Sequence, residues 1–299
     1  MYDRGNTMNK GVIMALMSAL AFSILNVFVK ELSFSMSVGE IAFFRGLFST
    51  IILVVLMRTQ KVPLSHRNIP TLLFRGILGG IGMICLFYAI SGMPLGDVSI
   101  LSQLSAFFVV IFATIFLHDV LPRKAFAPLA VIVGGACLIL HPWNYGTFNS
   151  YALFALAQSV IVAVVYTTIS KLTNEYGHHQ YEVVLYFLVC ATISGAILMG
   201  TDYVNPVGVQ WLMIIGMGAI TVVAQVWMTN AYAWGDPIIV SFVQYSGVFF
   251  NALWGYLVFG EILSALSIFG GVFIIGGSMY LSHLKHQRVK NMTRVSERL

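Results

Sequence analysis

The stretch from Tyr88 to Leu140, YAISGMPLGDVSILSQLSAFFVVIFATIFLHDVLPRKAFAPLAVIVGGACLIL, recurs in outline at residues 232–281 as YAWGDPIIVSFVQYSGVFFNALWGYLVFGEILSALSIFGGVFIIGGSMYL. Each copy begins with a Tyr-Ala pair and a Gly-Asp break, and continues into an apolar run that contains Gln and Ser. An acidic residue and a last apolar run with a Gly-Gly pair then follow in both. The match needs gaps of one and two residues, and it indicates that the chain contains an internal repeat.

The composition decides the class of protein. The chain has 299 residues, of which 59% are hydrophobic and 9% are charged, whereas a soluble domain carries about 25% charged residues. Such a chain has too little polar surface for a water-soluble globule, and it is too apolar to be disordered. One membrane-spanning helix needs about 20 apolar residues, so the length accommodates roughly ten. We therefore expect an all-α integral membrane protein.

Ten apolar runs can be placed along the sequence. They are predicted at residues 11–29, 40–57, 71–90, 95–117, 125–141, 150–171, 182–200, 208–232, 238–259 and 264–282. Several breaks contain proline, which removes a backbone donor and disfavours helix at the preceding residue. The runs are continuously apolar, unlike the alternating strands of a membrane β-barrel. No small-residue cleavage site follows the first run, so we expect it to remain as the first helix.

The basic residues predict the orientation. If the N-terminus is cytoplasmic, the inner segments hold 14 of the 16 Lys and Arg residues, and Arg75 is counted among them. Lys30 then lies on the outer side and Arg45 lies within the second span. This bias follows the positive-inside rule and places both termini in the cytoplasm. It explains the net charge of +5 without nucleic acid, and residues 284–299 form a basic cytoplasmic tail that would contact lipid headgroups.

The repeat divides the ten spans into two halves of five, at residues 11–142 and 150–283. An odd number of spans makes the second half enter the membrane from the opposite side. The predicted fold is therefore ten transmembrane helices arranged as two inverted five-helix repeats, an organisation that many secondary transporters use for alternating access. Duplication for stability alone is the other interpretation. We favour transport because two opposed halves supply two related states.

Several short motifs carry a resemblance to a known family. They are the stretch 22–30 (FSILNVFVK), Phe43-Phe44-Arg45-Gly46, Arg75-Gly76 and Phe87-Tyr88-Ala89, together with Phe259-Gly260-Glu261. Over residues 11–282 the chain resembles the drug/metabolite transporter superfamily, in its EamA-like ten-helix branch. The family signature Leu-Gly-Glu is close to the motif that ends at Glu261, whereas the first copy departs from it as Leu117-His118-Asp119.

The resemblance implies a cavity lined by helices one, three, four, six, eight and nine, which opens to each side in turn. Members of the family move amino acids, vitamins, nucleoside-like metabolites and other small solutes in either direction. We therefore expect a bacterial transporter of the cytoplasmic (inner) membrane, as a monomer or homodimer, that carries a small amino-acid-like, vitamin or nucleoside-like solute. Its partners would be this solute and the lipid bilayer, with no nucleic acid, metal or cofactor.

Four glutamines lie near the middle of predicted spans, at Gln103, Gln158, Gln225 and Gln244. Gln103 and Gln244 occupy matching places in the two repeats, so both would approach the midplane, where transporters of this type place their substrates. An amide both donates and accepts hydrogen bonds, which suits a zwitterionic or heterocyclic solute. The alternative is that each glutamine holds two helices together. Asn251 shares a face with Gln244 and two glycines, so that stripe could line a path or form a packing seam.

Other residues complete the predicted substrate site. Ser99 lies four residues before Gln103 and shares its helix face. Tyr88, Tyr166 and Trp227 could contribute aromatic surface, although aromatic residues also mark membrane interfaces. Asn26 is a lone polar residue late in the first span. The predicted substrate-binding residues are Asn26, Tyr88, Ser99, Gln103, Gln158, Tyr166, Gln225, Trp227 and Gln244.

Arg45 is a basic residue well inside a predicted span. It could extend to the interface, pair with Glu40 or Asp97, or meet an anionic group of the solute. We expect Arg45 and Glu40 to form a structural ion pair or gate rather than to bind substrate, and Lys30 to pair with Glu31. None of the 11 acidic residues falls near mid-span, which argues against a buried carboxylate as proton carrier. The sequence favours facilitated diffusion, exchange or coupling by another route.

A membrane-embedded enzyme acting on a lipid or small metabolite is the alternative function. The chain contains no H-E-x-x-H, no G-x-S-x-G and no paired mid-membrane carboxylates, so we expect no catalytic activity. His178 and His179 are expected to be solvated in a loop. Three cysteines, far apart within apolar runs, match neither a disulfide framework nor a metal site. A channel would need a charged filter or an oligomeric ring, and the sequence shows neither.

Overall fold

The computed structural model describes residues 4–65, 67–116, 126–140, 149–201, 203–234 and 237–296. All regular structure in these ranges is helical. The helices are α1 (Arg4–Ser33), α2 (Val38–Thr59), α3 (Ile69–Gly92), α4 (Leu95–Ser102), α5 (Leu104–Phe116), α6 (Phe126–Leu140), α7 (Tyr151–Asn174), α8 (Gln180–Met199), α9 (Val209–Trp234), α10 (Pro237–Gln244), α11 (Ser246–Phe259) and α12 (Ala265–Ser296). The Leu117-His118-Asp119 motif and the Gly235-Asp236 break lie outside the described residues.

Within the described ranges, six helices are long and apolar enough to span a membrane by themselves: α1, α2, α3, α7, α8 and α9. Shorter apolar helices cover Leu95–Val109, Phe126–Leu140 and Ala265–Leu281. Large apolar side chains stay exposed on the outside of the bundle, such as Ile197 (77%) and Leu212 (72%). This surface suits lipid contact, and the protein is a multi-pass membrane protein.

Two of the predicted spans are each built from two helices. The span predicted at 95–117 breaks at Gln103, between α4 and α5, and the span predicted at 238–259 breaks at Tyr245, between α10 and α11. The backbone N–H of Gln103 donates to the Ile100 carbonyl at 3.1 Å, and the backbone N–H of Tyr245 donates to the Phe242 carbonyl at 3.2 Å. This three-residue spacing is that of a short 3₁₀ turn. The two breaks fall within one position of each other when the repeats are aligned on their glutamines.

Helix packing follows the two-fold relation between the repeats. With α1–α6 as the first repeat and α7–α12 as the second, α1 is equivalent to α7, α3 to α9 and α5 to α11. The contact of α1 with α9 then corresponds to that of α7 with α3, and the contact of α1 with α11 corresponds to that of α7 with α5. The equivalent helices α2 and α8 contact each other, as do α6 and α12. The fold is therefore two five-span repeats whose interface is pseudo-symmetric.

The seam between α2 and α8 shows that the repeats are inverted. Gly39 lies against Met199, Gly46 against Thr192, and Gly195 against Phe43, so the two equivalent helices run antiparallel. A Cβ added at Gly39 would lie 2.5 Å from the Met199 backbone nitrogen. Small residues allow helices to approach closely in lipid, where close packing drives helix association.

Candidate functional site

A cavity of about 190 Å³ is lined by residues of both repeats. It is lined by residues of α1, α2, α3, α4, α7, α8, α9, α10 and α11, and by Gln103 at the first helix break. Its polar lining residues are Asn26, Arg45, Arg75, Ser99, Ser102, Gln103, Gln158, Tyr166, Gln225, Gln244 and Asn251. The cavity also carries apolar and aromatic surface from residues such as Phe87 and Phe187. This mixture of apolar walls with a few polar groups is typical of small-molecule sites.

The structure brings most of the sequence-predicted binding residues together on this cavity. All four glutamines line it, although they come from α7, α9, α10 and the first helix break. Asn26, Ser99 and Tyr166 line it as well. Gln103 and Gln244, the matched pair of the two repeats, therefore reach the same space from opposite halves.

Tyr88 and Trp227 do not line the cavity. Tyr88 stacks on Phe154, with ring centroids 4.8 Å apart. Trp227 borders a separate apolar groove together with Met17 and Ile24 of α1. Residues two positions apart on a helix differ by about 200° around its axis. Trp227 therefore points away from the cavity that Gln225 faces. The sequence indicated helices here, but not which face of each helix turns inward.

A hydrogen-bonded amide cluster joins the two repeats on the cavity wall. Asn26 Nδ2 of α1 donates to Asn251 Oδ1 of α11 at 3.0 Å. Asn251 Nδ2 in turn donates to the Ser99 hydroxyl of α4 at 3.3 Å and to the Gly247 carbonyl at 2.7 Å. Asn251 thus both lines the cavity and holds helices together, which combines the two interpretations that the sequence left open.

Gln244 has its own link between the repeats. Its Nε2 donates to the Ser18 hydroxyl of α1 at 2.9 Å. Gln158 differs, because its Oε1 is buried and has no hydrogen-bond partner. A buried acceptor without a partner is costly, and Gln158 carries such an acceptor beside the cavity.

Arg45 faces the cavity from α2 and is only 3% exposed. Its Nε donates to the Thr221 hydroxyl at 2.9 Å, and its Cζ lies 5.2 Å from the centre of the Phe87 ring. The expected ion pair with Glu40 does not form. Glu40 is fully buried at the start of α2, where the Ser37 side chain caps the helix. Glu40 and Arg45 are five positions apart on α2, which places them about 140° apart around the helix axis. The two side chains therefore leave α2 in different directions.

Arg75 is a cavity-lining residue that sequence reasoning missed. It was counted with the inner basic residues, yet it is 2% exposed and lines the cavity. Its Cζ lies 4.5 Å from the centre of the Phe187 ring, and its Nε and Nη1 have no hydrogen-bond partner. A Cβ at Gly79 would lie 2.7 Å from Nη1, so the absence of a side chain there leaves room for the guanidinium. The sequence signal was the position of Arg75, six residues after the start of α3 at Ile69, with Gly79 one turn later.

The cavity is positively charged in the part of the chain that the structure describes. No Asp or Glu is among its described lining residues. The ion pairs found in the described ranges are Lys30–Glu261 and His178–Glu182. Neither contains Arg45 or Arg75, so two buried guanidinium groups share one cavity without a paired carboxylate. Aromatic faces and the Thr221 hydroxyl are their visible neighbours.

Lys30 lies toward one end of the bundle, and we call this the Lys30 end. The Lys30 ammonium pairs with Glu261 and donates to the Met93 carbonyl at 2.7 Å. The other oxygen of Glu261 accepts from the Leu95 amide at 2.8 Å. The expectation that Lys30 pairs with Glu31 was wrong, because Glu31 is exposed and Glu261 approaches from the other repeat. This contact ties α1 and the α3–α4 link to the segment after α11.

Different contacts lie toward the opposite end of the bundle. The rings of Tyr166 and Tyr232 lie 5.3 Å apart, in an apolar cluster that includes Ala15 and Met228. His178 was expected to be solvated, but it is 5% exposed and its Nδ1 lies 2.8 Å from Glu182 Oε2. The carboxylate partner at the next helical turn explains why this imidazole tolerates burial.

Comparison with known proteins identifies related chains along almost the whole length. The EamA-like transporter family matches residues 9–141 and again residues 149–282. The pseudopaline exporter CntI of Pseudomonas aeruginosa is 38% identical over 279 residues, which cover 93% of this chain and 98% of that protein. A riboflavin transporter of Rhizobium johnstonii is 24% identical, with coverage of 93% and 92%. The human solute carrier family 35 member G1 is 22% identical and covers 90% of this chain.

A solved crystal structure supports the fold. It superposes with a TM-score of 0.66 at 18% sequence identity, and the match covers 93% of this chain and 97% of the other. The names of the related proteins point to a transporter and not to an enzyme.

Proposed function

The chain belongs to the EamA-like transporter family, and we propose that it carries a small organic metabolite across the bacterial cytoplasmic membrane by alternating access. The main support is the position of the cavity. It lies between two inverted repeats and includes the break residue Gln103 and the residue before the break at Tyr245. Discontinuous helices at corresponding positions of two inverted halves are a frequent sign of a transporter binding site.

The contacts at the two ends of the bundle suggest how access would alternate. The Lys30–Glu261 pair and the Asn26–Asn251 hydrogen bond both join one repeat to the other. Rocking of the repeats would separate these contacts and expose the cavity at the Lys30 end. Contacts at the opposite end, such as Tyr166 against Tyr232, would hold that end closed at the same time. Bistable interfaces of this kind convert a small rotation into a change of access.

The direction that we propose is export. It rests on the 38% identity with a protein named as a pseudopaline exporter, which extends along nearly the whole chain. The polar lining of the cavity supports a polar cargo. The distribution of basic residues supports an orientation with both termini in the cytoplasm, and the Lys30 end would then face outward.

Cysteine labelling tests alternating access without knowledge of the substrate. The native residues Cys85, Cys137 and Cys190 are replaced by alanine, and Ser102→Cys is introduced in the cavity wall. Right-side-out and inside-out vesicles are treated with a membrane-impermeant maleimide. We expect Ser102→Cys to react from both faces. Trp227→Cys serves as the matched control, because Trp227 borders the separate apolar groove and should react from neither face.

Labelling of Ser102→Cys from a single face, with no reaction from the other under any condition, would contradict alternating access. Labelling of the Trp227→Cys control to the same extent would show that the reagent also reacts with cysteines outside the cavity. In that case the reactivity of Ser102→Cys would not support a carrier.

A further inference from the structure

We infer that the cavity recognises an amino dicarboxylate, a solute with two carboxylates and at least one N–H donor. This inference rests on the proposed transport function and names the substrate class of the same site. Its basis is the pair of buried arginines Arg45 and Arg75, together with the buried acceptor of Gln158. The sequence alone predicts an ion pair for Arg45 and places Arg75 among the inner basic residues rather than in the site.

The first step concerns charge. A buried cation is normally paired with an anion, because removal of a charge from water is expensive. Charged side chains inside membrane segments usually face a cavity and mark a substrate or ion pathway. Arg45 and Arg75 are 3% and 2% exposed and both face the cavity, but neither pairs with a described carboxylate. A solute with two carboxylates would supply one anionic partner for each arginine.

The second step concerns the donors. The Nε and Nη1 atoms of Arg75 are buried and have no hydrogen-bond partner, while Arg45 uses its Nε for Thr221. A guanidinium binds carboxylate or phosphate through charge-assisted hydrogen bonds. Anion binding would therefore satisfy donors that the protein leaves open. The faces of Phe87 and Phe187 lie beside the two guanidinium groups, and they would hold the planar groups in place while the anion binds.

The third step separates an amino dicarboxylate from a phosphate ester. Gln158 Oε1 is a buried acceptor that lacks a donor, and its residue lines the same cavity. A phosphate accepts hydrogen bonds at its oxygens but offers no N–H to this amide. An amino group beside two carboxylates would satisfy Gln158 as well as the arginines, because it donates where the carboxylates accept.

Thermal unfolding of the purified full-length protein, with simple probes, tests the inference. L-Glutamate carries two carboxylates and an amino group, glutarate lacks the amino group, and L-glutamine lacks one negative charge. Inorganic phosphate represents the other anion class. A ligand that binds the folded state raises Tm by mass action. We expect the largest rise with L-glutamate, a smaller one with glutarate, and the smallest with L-glutamine and phosphate.

Three variants connect the shift to the named residues. Arg45→Gln and Arg75→Gln should each weaken L-glutamate binding by about tenfold or more, as expected for a lost charge-assisted hydrogen bond. Gln158→Leu should weaken L-glutamate but leave glutarate almost unchanged. Arg67→Gln is the matched control, because Arg67 is exposed in the α2–α3 loop and its loss should leave both affinities unchanged.

Four outcomes would overturn the inference. They are no rise with L-glutamate or glutarate in the wild-type protein, a larger rise with phosphate, an equal rise with L-glutamine, and a rise that survives both arginine substitutions. The labelling of Ser102→Cys from the two faces of the membrane tests the carrier function independently of substrate binding. Labelling from both faces without any effect of L-glutamate would retain the transporter and reject the amino dicarboxylate. If L-glutamate protects Ser102→Cys from labelling but the cysteine reacts from only one face, the amino dicarboxylate would be retained and alternating access would be rejected.

Discussion

Arg45 and Arg75 contact the same aromatic ring: their Cζ atoms lie 6.0 Å and 4.5 Å from the centre of Phe187. One arginine comes from α2 and the other from α3, so the fold brings two like charges to the same ring beside one cavity. Like charges in a medium of low dielectric constant repel each other. The arrangement is therefore unfavourable in the empty protein, and it becomes favourable when an anion binds between the charges.

We predict that Arg75→Gln does not destabilise the empty protein. Removal of an unpaired buried charge relieves its desolvation cost and its repulsion with Arg45. Each kcal/mol recovered would raise Tm by about 2–4 °C in a chain of 150–250 residues, and by less in a longer one. Thermal unfolding without ligand measures this, with Arg67→Gln as the exposed control. A fall in Tm comparable to that of the core substitution Phe87→Ala would indicate a structural role for Arg75.

The second prediction concerns Gly79, which makes room for Arg75. A Cβ at this position would lie 2.7 Å from Arg75 Nη1 and 2.8 Å from Phe187. Gly79→Ala should push the guanidinium aside and weaken L-glutamate binding, and it should also lower the free energy of unfolding because the buried Phe187 ring must shift. Gly134→Ala is the matched control, since a Cβ there meets nothing within 4 Å. Equal binding by the two alanine variants would separate Gly79 from the site.

The third prediction concerns the pair at the Lys30 end. Lys30→Met leaves the Glu261 carboxylate without its cation and should lower the stability of the protein. Loss of the ion pair should also favour the state in which the Lys30 end is open. Labelling of Ser102→Cys from the Lys30 face should then increase. The double variant Lys30→Met/Glu261→Gln should restore part of the stability, because it removes the unpaired charge. Glu31→Gln is the control, and an equal effect of Glu31→Gln would favour the neighbouring pair that the sequence suggested.

The fourth prediction concerns the seam between α2 and α8. Gly195 packs against the backbone of Ala42 and Phe43, so a side chain at this position would force the two repeats apart. Gly195→Val should lower the free energy of unfolding by about 1–3 kcal/mol, the usual cost of overpacking. Detergent-solubilised unfolding measures this against Gly134→Val. Similar stabilities of the two variants would contradict an obligatory close contact at this seam.

The number and order of the spans could be predicted from the sequence because each span is continuously apolar. The helix break at Gln103 could not, since the residue is compatible with an α-helix and has neither proline nor glycine beside it. A repeat alignment fixes only that Gln103 and Gln244 correspond. The repeat therefore indicated the right residues for the cavity, while the local backbone became visible only in three dimensions.

The side-chain directions were harder to predict. Gln225 and Trp227 are two residues apart on α9, and only the packing against α1 shows that Gln225 faces the cavity while Trp227 borders a separate groove. Arg75 lies near enough to the end of a span to pass as an interfacial anchor. Its true environment depends on Gly79 and Phe187, which surround the guanidinium in the folded protein.

Counterflow in proteoliposomes is the most direct test of a carrier with an arginine-lined anion site. Vesicles that contain the protein are loaded with unlabelled L-glutamate and diluted into a trace of radiolabelled L-glutamate. We predict transient accumulation of label in vesicles with the wild-type protein or Arg67→Gln, and none with Arg75→Gln. Absence of counterflow in the wild-type protein, or equal counterflow in Arg75→Gln, would contradict this account.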